Sequence, residues 1–148
     1  MTTLADLQAD VYTITNRPDL VSETLYCIKK ATLRLHQLED FPRDLVEVPV
    51  TGLVTTSTVD NRYSIDVTAA PFVRFRKPVY VRDNPTPVAD AYVRQFSLIP
   101  ADIIMNNYNQ EFTDYWYEAG NNLQLRTANA TTSVKVGYYR NPDVATLT

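Results

Sequence analysis

Cysteine occurs once in the 148 residues, at Cys27, so no intramolecular disulfide can form and a Cys-based zinc site of the usual spacing is excluded. Histidine also occurs once. His36 therefore has no second histidine with which to build a His-x-x-x-His zinc pair or a conventional nucleophile triad, and it reads as a structural helix-end residue. Glycine is nearly as scarce, and Gly52, Gly120 and Gly137 are too far apart to cradle a phosphate with closely spaced backbone amides. Long apolar runs are missing too: the longest cover only a few residues, against about 20 for a membrane-crossing helix. Met1 leads into Thr2, Thr3 and Leu4 without the basic stretch and apolar run of a secretory signal, so a soluble protein with no membrane partner is expected. The Asn129-Ala130-Thr131 triplet fits a glycosylation acceptor, but without such a signal it is a chance match. No catalytic, metal or cofactor site is expected from these residues.

What is present points to one domain, 1–148. A chain of this length with 45% apolar residues can bury about two-thirds of its unfolded surface. The net charge of −3 and pI near 5.1 exclude a domain-wide electrostatic footprint for nucleic acid, so any such contact has to be local. Ten tyrosines, five phenylalanines and one tryptophan accompany only four lysines, a balance that suits packed contacts between subunits.

The pattern predicts an α+β fold: an N-terminal helical hairpin over 1–42, then a mostly antiparallel β region over 43–148 with short strands and long loops. Leu4, Leu7, Val11 and Ile14 recur at helical spacing behind a Thr3 cap. A second helix is expected from Pro18-Asp19, with an inward stripe of Leu20, Thr24, Cys27, Ile28, Ala31, Leu35 and Leu38, in which Cys27 is a small core residue. Glu23, Lys29, Lys30 and Arg34 form its outward face, and Phe41-Pro42 ends it. Beyond Leu45 the period changes to two, as in Ile65 and Val67 or Val79 and Val81. Prolines 42, 49, 71, 78, 85, 87 and 100 confine these strands to edges, bulges or short runs. Asp60-Asn61 and Gly120-Asn121-Asn122 are the expected turns. Short strands around turns are expected through Leu98-Ile99-Pro100-Ala101-Asp102, Trp116 to Gly120, Leu123 to Leu125 and Val134 to Tyr139.

Two candidate surfaces emerge. Arg74, Arg76, Lys77 and Arg82 place four of the fourteen basic residues within nine positions. In a strand Arg74 and Arg76 share a face opposite Val73 and Phe75, which suits phosphate, an acidic neighbour, or a plain solvated edge. Tyr115, Trp116 and Tyr117, bracketed by Asp114 and Glu118, form an aromatic run that could stack on a sugar beside an acid, although strand aromatics more often serve a core or a subunit contact. A carbohydrate- or receptor-binding β module and a small carboxylate hydrolase are therefore the competing classes, the second without a convincing acid pair.

Two stretches resemble the head-to-tail adaptor (connector) proteins of tailed bacteriophages. One is the helix pair, with Asn16-Arg17-Pro18-Asp19-Leu20 leading into helix two and Lys30-Ala31-Thr32 through His36 to Phe41-Pro42-Arg43-Asp44-Leu45 leading out. The other runs from Ile99-Pro100-Ala101-Asp102 to Tyr138-Tyr139-Arg140-Asn141-Pro142. The resemblance implies a structural virion protein without enzymatic activity, made in the bacterial host cytoplasm and located at the head-tail junction. It further implies a homo-oligomeric, dodecameric ring that docks on the portal protein, extends the DNA channel with non-specific contact to the genome, and meets tail nozzle or tail fibre proteins. Another tail component (tube, completion or nozzle protein) is the nearest alternative. Many adaptors of this kind resume helices after the sheet to pack against the N-terminal pair, whereas this chain reaches Thr148 soon after its last expected strand, so a complete helical bundle is not expected.

Overall fold

The computed structural model describes residues 4–17, 19–57, 61–84, 93–106 and 114–144. The chain forms two compact units, Met1–Asp44 with Asn141–Thr148, and Leu45–Arg140. The expected Thr3 cap, Pro18, the Asp60 turn position and Pro85 and Pro87 lie outside the described residues.

In the first unit α1 spans Leu4–Thr15 and α2 spans Val21–Leu38. Asn16 ends α1 with φ of 52°, the left-handed conformation that Asn tolerates at a helix stop. The Arg17 guanidinium then grips both carboxylate oxygens of Asp19 at 2.9 Å, in an exposed pair that shapes the connection rather than adding much stability. Leu20, with no capping side chain, precedes α2, so this helix starts later than Pro18-Asp19 predicts. Its backbone continues until Glu39, whose N–H still reaches the Leu35 carbonyl, and a single 3-10 turn, Pro42–Asp44, follows. His36 Nδ1 donates to the buried Asp44 carboxylate while its ring packs on Phe41, centroids 4.7 Å apart. The helix-end histidine is thus a clasp for the exit of α2.

The second unit is built from β1 (Leu45–Thr51), β2 (Asn61–Asp66), β3 (Phe75–Asp83), β4 (Gln95–Leu98), a short helix α3 (Ala101–Asn106), β5 (Tyr115–Ala119), β6 (Asn122–Thr127) and β7 (Ser133–Arg140). These strands form one seven-stranded sheet in the order β1-β7-β3-β4-β5-β6-β2, antiparallel except where β4 meets β5. Parallel neighbours cannot be joined by a tight turn, and α3 sits in the connection between them. The sheet curls so that its two edges approach: Thr55, just beyond β1, bridges to Tyr63 of β2, and the Thr56 N–H bonds to the Arg62 carbonyl.

Curling puts one face inside. Alternate residues of β6 and β7 (Leu123 and Leu125; Val134, Val136 and Tyr138) meet Tyr63 and Ile65 of β2, Val81, Phe96 and Trp116 in a single core, with Val46, Val48 and Val50 of β1 packed against it. Buried tyrosine hydroxyls find partners at its ends. Tyr63 Oη accepts the Thr131 N–H at 3.0 Å, and Tyr138 Oη accepts the Val73 N–H at 3.0 Å.

Local chemistry explains the strands that stray from simple alternation. Pro49 lies on the edge strand β1, and Pro78 sits beside one of two register shifts in β3. The shifts leave Arg76 and Val79 as extra residues, which is why Val81 is buried but Val79 faces outward, against the shared face their spacing predicts. Gly120 takes φ of 61° at the first position of the two-residue loop joining β5 to β6, as a type II′ hairpin turn requires. Pro100 ends the expected strand early: its carbonyl accepts from the Ile103 N–H at 3.1 Å and starts α3, a helix where strand was predicted.

Candidate functional site

The helix pair leaves its apolar stripe uncovered. No residue of α2 is buried, and Leu35, Leu38 and Cys27, predicted to point inward, are exposed. The correction follows from partner area: one light helix-helix contact cannot cover an 18-residue amphipathic stripe. What forms is an open groove of about 390 Å³ between α1 and α2, lined by Val11, Leu20, Thr24, Cys27, Ile28 and Ala31 among others. Ala31 also borders a second hollow of about 570 Å³ edged by Lys30 and Arg34.

The basic strip is broken up. Arg74 lies outside β3 with φ of 52°, and the register shift at Arg76 removes the common face that an unbroken strand would give the pair. Arg76 instead covers the Tyr139 ring at 5.4 Å, Lys77 is exposed, and Arg82 is committed to Glu47. Sequence spacing could not show the acid, because Glu47 comes from β1, two strands away in the sheet.

Glu47 is the hub of this outer face. Its carboxylate accepts from Tyr80 Oη at 2.7 Å and pairs with Arg82 Nη2 and with Lys135 Nζ, the last at 3.3 Å. Burial pushes the carboxyl pKa up, but the hydrogen bonds from Tyr80 and Lys135 and the charges of Arg82 and Lys135 outweigh it and hold it below the ordinary glutamate range. The same burial, with the hydrogen bond to Glu47, pushes the Tyr80 phenol up. A depressed carboxyl stabilises the fold fully above its unfolded value of about 4.3, and that contribution fades as pH falls through the lower folded value. Urea melts from about pH 6 to about pH 3 should therefore show Glu47→Gln less stable by about 1 kcal/mol at the upper end, with the gap closing on acidification. A gap independent of pH would mean the carboxylate charge plays no part.

A second polar knot joins distant loops. Arg94 bonds to Asp83 at 2.9 Å and to Asp114 at 3.3 Å; Asp83 accepts from Thr131 Oγ1 at 2.8 Å, and Asp114, held at φ of 60°, accepts the Ala128 N–H at 3.0 Å. Thr131 of the sequon-like triplet is thereby buried. Asp114 serves as a loop clamp, with Arg94 as its cationic partner.

The aromatic run divides between the faces of β5. Trp116 points into the core at 1% exposure, Tyr115 is buried, and Tyr117 is half-buried with its ring against that of Tyr115, centroids 6.3 Å apart. Trp116 is thus unavailable as a stacking platform, because β5 is an interior strand whose alternate positions must fill the curl. The run reads in the sequence as one platform, but strand alternation splits Trp116 from its neighbours, and which side faces inward depends on the sheet order.

Among the described residues no group of three or more His, Cys, Asp or Glu could hold a metal ion, and no helix is long and apolar enough to cross a membrane. No protein-family model matches the chain, and no curated protein matches it.

Proposed function

We propose that this chain is a structural virion protein, a head-to-tail adaptor whose copies form a dodecameric ring beneath the portal, extend the DNA channel and dock the tail. The observation that carries the reading is the helix pair. The stretches Asn16 to Leu20 and Lys30 to Leu45, which resemble phage adaptors, enclose a helix with no buried residue and an open apolar groove, the condition of an element completed by subunit contact. The sheet unit meanwhile encloses a continuous apolar core of its own.

Portal protein and tail nozzle or fibre proteins are the partners of such a ring. Any contact with genomic DNA would fall to the basic strip of Arg74, Arg76, Lys77 and Arg82, the last of which is paired with Glu47. Burial of Trp116 counts against the glycan-binding alternative, since it removes the largest stacking surface.

Light scattering of the purified chain, alone and mixed with a candidate portal ring over a range of concentrations, tests the proposal. A ring, or assembly that requires the portal, is expected. A monomer at every concentration, indifferent to the portal, would sink it.

A further inference from the structure

We infer that the contact between copies is heterologous: the outer edge of α1 on one copy seats in the α1/α2 groove of the next, with Asp10 against Lys30 and Arg34. This rests on the ring proposal and specifies the surface that makes it. Leu7, Asp10 and Ile14 fall at i, i+3 and i+7, so they share one edge of α1. All three are exposed, Ile14 at 83%. That edge is apolar with an acid at its centre. The groove is its complement, apolar along Cys27, Ile28 and Ala31, with Lys30 and Arg34 edging the adjoining hollow.

Charge commits the surface to a second copy of this chain. α1 carries Asp6 and Asp10 and no base, whereas α2 carries Lys29, Lys30 and Arg34 against Glu23 alone. Two α1 edges brought together, or two α2 faces, would set like charges opposite each other; α1 against α2 sets opposite charges in register. An interface between different patches is head-to-tail, and repeating it generates a ring where the rotation per copy closes on itself, as the ring proposal requires, and an open filament where it does not. The apolar groove supplies the buried area and the charge pair selects the orientation.

The 148-residue chain tests this by charge reversal, read by light scattering with circular dichroism as the check on folding. Asp10→Lys and the double reversal Lys30→Glu with Arg34→Glu should each weaken assembly by about tenfold or more, and the triple variant should recover most of the loss. Because Cys27 is the only cysteine and lines the groove, Ile14→Cys provides a second readout. Mild oxidation should link copies head to tail into a ladder of trimers and longer chains. Rings that form equally well in all the reversed variants, with oxidation stopping at dimers, would overturn this interface and leave the ring proposal standing. A wild-type chain that never assembles, with or without portal, would remove both.

Discussion

Alanine in place of Trp116 is expected to cost about 3–5 kcal/mol, the range for emptying a large aromatic site in a packed core. Small domains carry only about 5–15 kcal/mol in total, so the variant should sit close to unfolding. Trp116 is 1% exposed, and β5 is paired on both sides, by β4 at Leu98 and by β6 at Leu125. The surrounding strands therefore cannot collapse into the space without breaking their ladders. Tyr117→Ala, one position along and half-buried, should cost clearly less, about 1 kcal/mol. Urea denaturation of the two variants beside wild type decides between the two roles an aromatic run can play. Trp116→Ala retaining wild-type stability would show that the indole is not structural, and would revive the surface role that the alternation of β5 denies it.

How far the sequence foretells the architecture can be judged strand by strand. In β6 the alternation of Leu123, Leu125 and Thr127 matches burial position for position, and in β7 Val134, Val136 and Tyr138 are buried as alternation expects, with only Gly137 breaking the pattern by being buried between them. α1 is equally plain from Leu4, Leu7, Val11 and Ile14. β3 is not, since its two register shifts move Arg76 and Val79 out of the period that would identify their faces. α3 is only six residues, too short to show a helical repeat, and Pro100 reads as readily as a strand break as a helix start. The candidate surfaces were less legible than the fold. Arg82 and Glu47 are far apart in the chain and meet only through the order β1-β7-β3, and exposure of the α2 stripe depends on how little α1 covers, which periodicity does not report.

That same order makes Gly137 the position where one methyl group should matter most. Tyr80 of β3 is paired with Gly137 of β7, and Gly137 is paired in turn with Glu47 of β1. To donate its hydroxyl to Glu47 at 2.7 Å, the Tyr80 side chain crosses β7, and it can do so only because nothing projects from Gly137. A Cβ there would lie 2.3 Å from Tyr80 Cε1 and 2.5 Å from Cζ, well inside contact distance. The ring cannot rotate aside without surrendering Glu47, which holds its far end. Gly137→Ala should accordingly cost about 2–4 kcal/mol, combining overpacking with the lost hydrogen bond. Backbone effects run the other way, since alanine in a strand is better than glycine by about 0.5–1 kcal/mol. Removing the ring should therefore reverse the sign: in a Tyr80→Ala background, Gly137→Ala should be neutral or stabilising by that smaller amount. Denaturation of the four proteins closes a double-mutant cycle with a coupling of about 2 kcal/mol or more. Equal costs in both backgrounds would place the demand for glycine elsewhere. A large coupling would establish that Tyr80, lying flat across β7, is the strap that ties β3 to the edge strand β1 and brings Arg82 and Lys135 to one carboxylate.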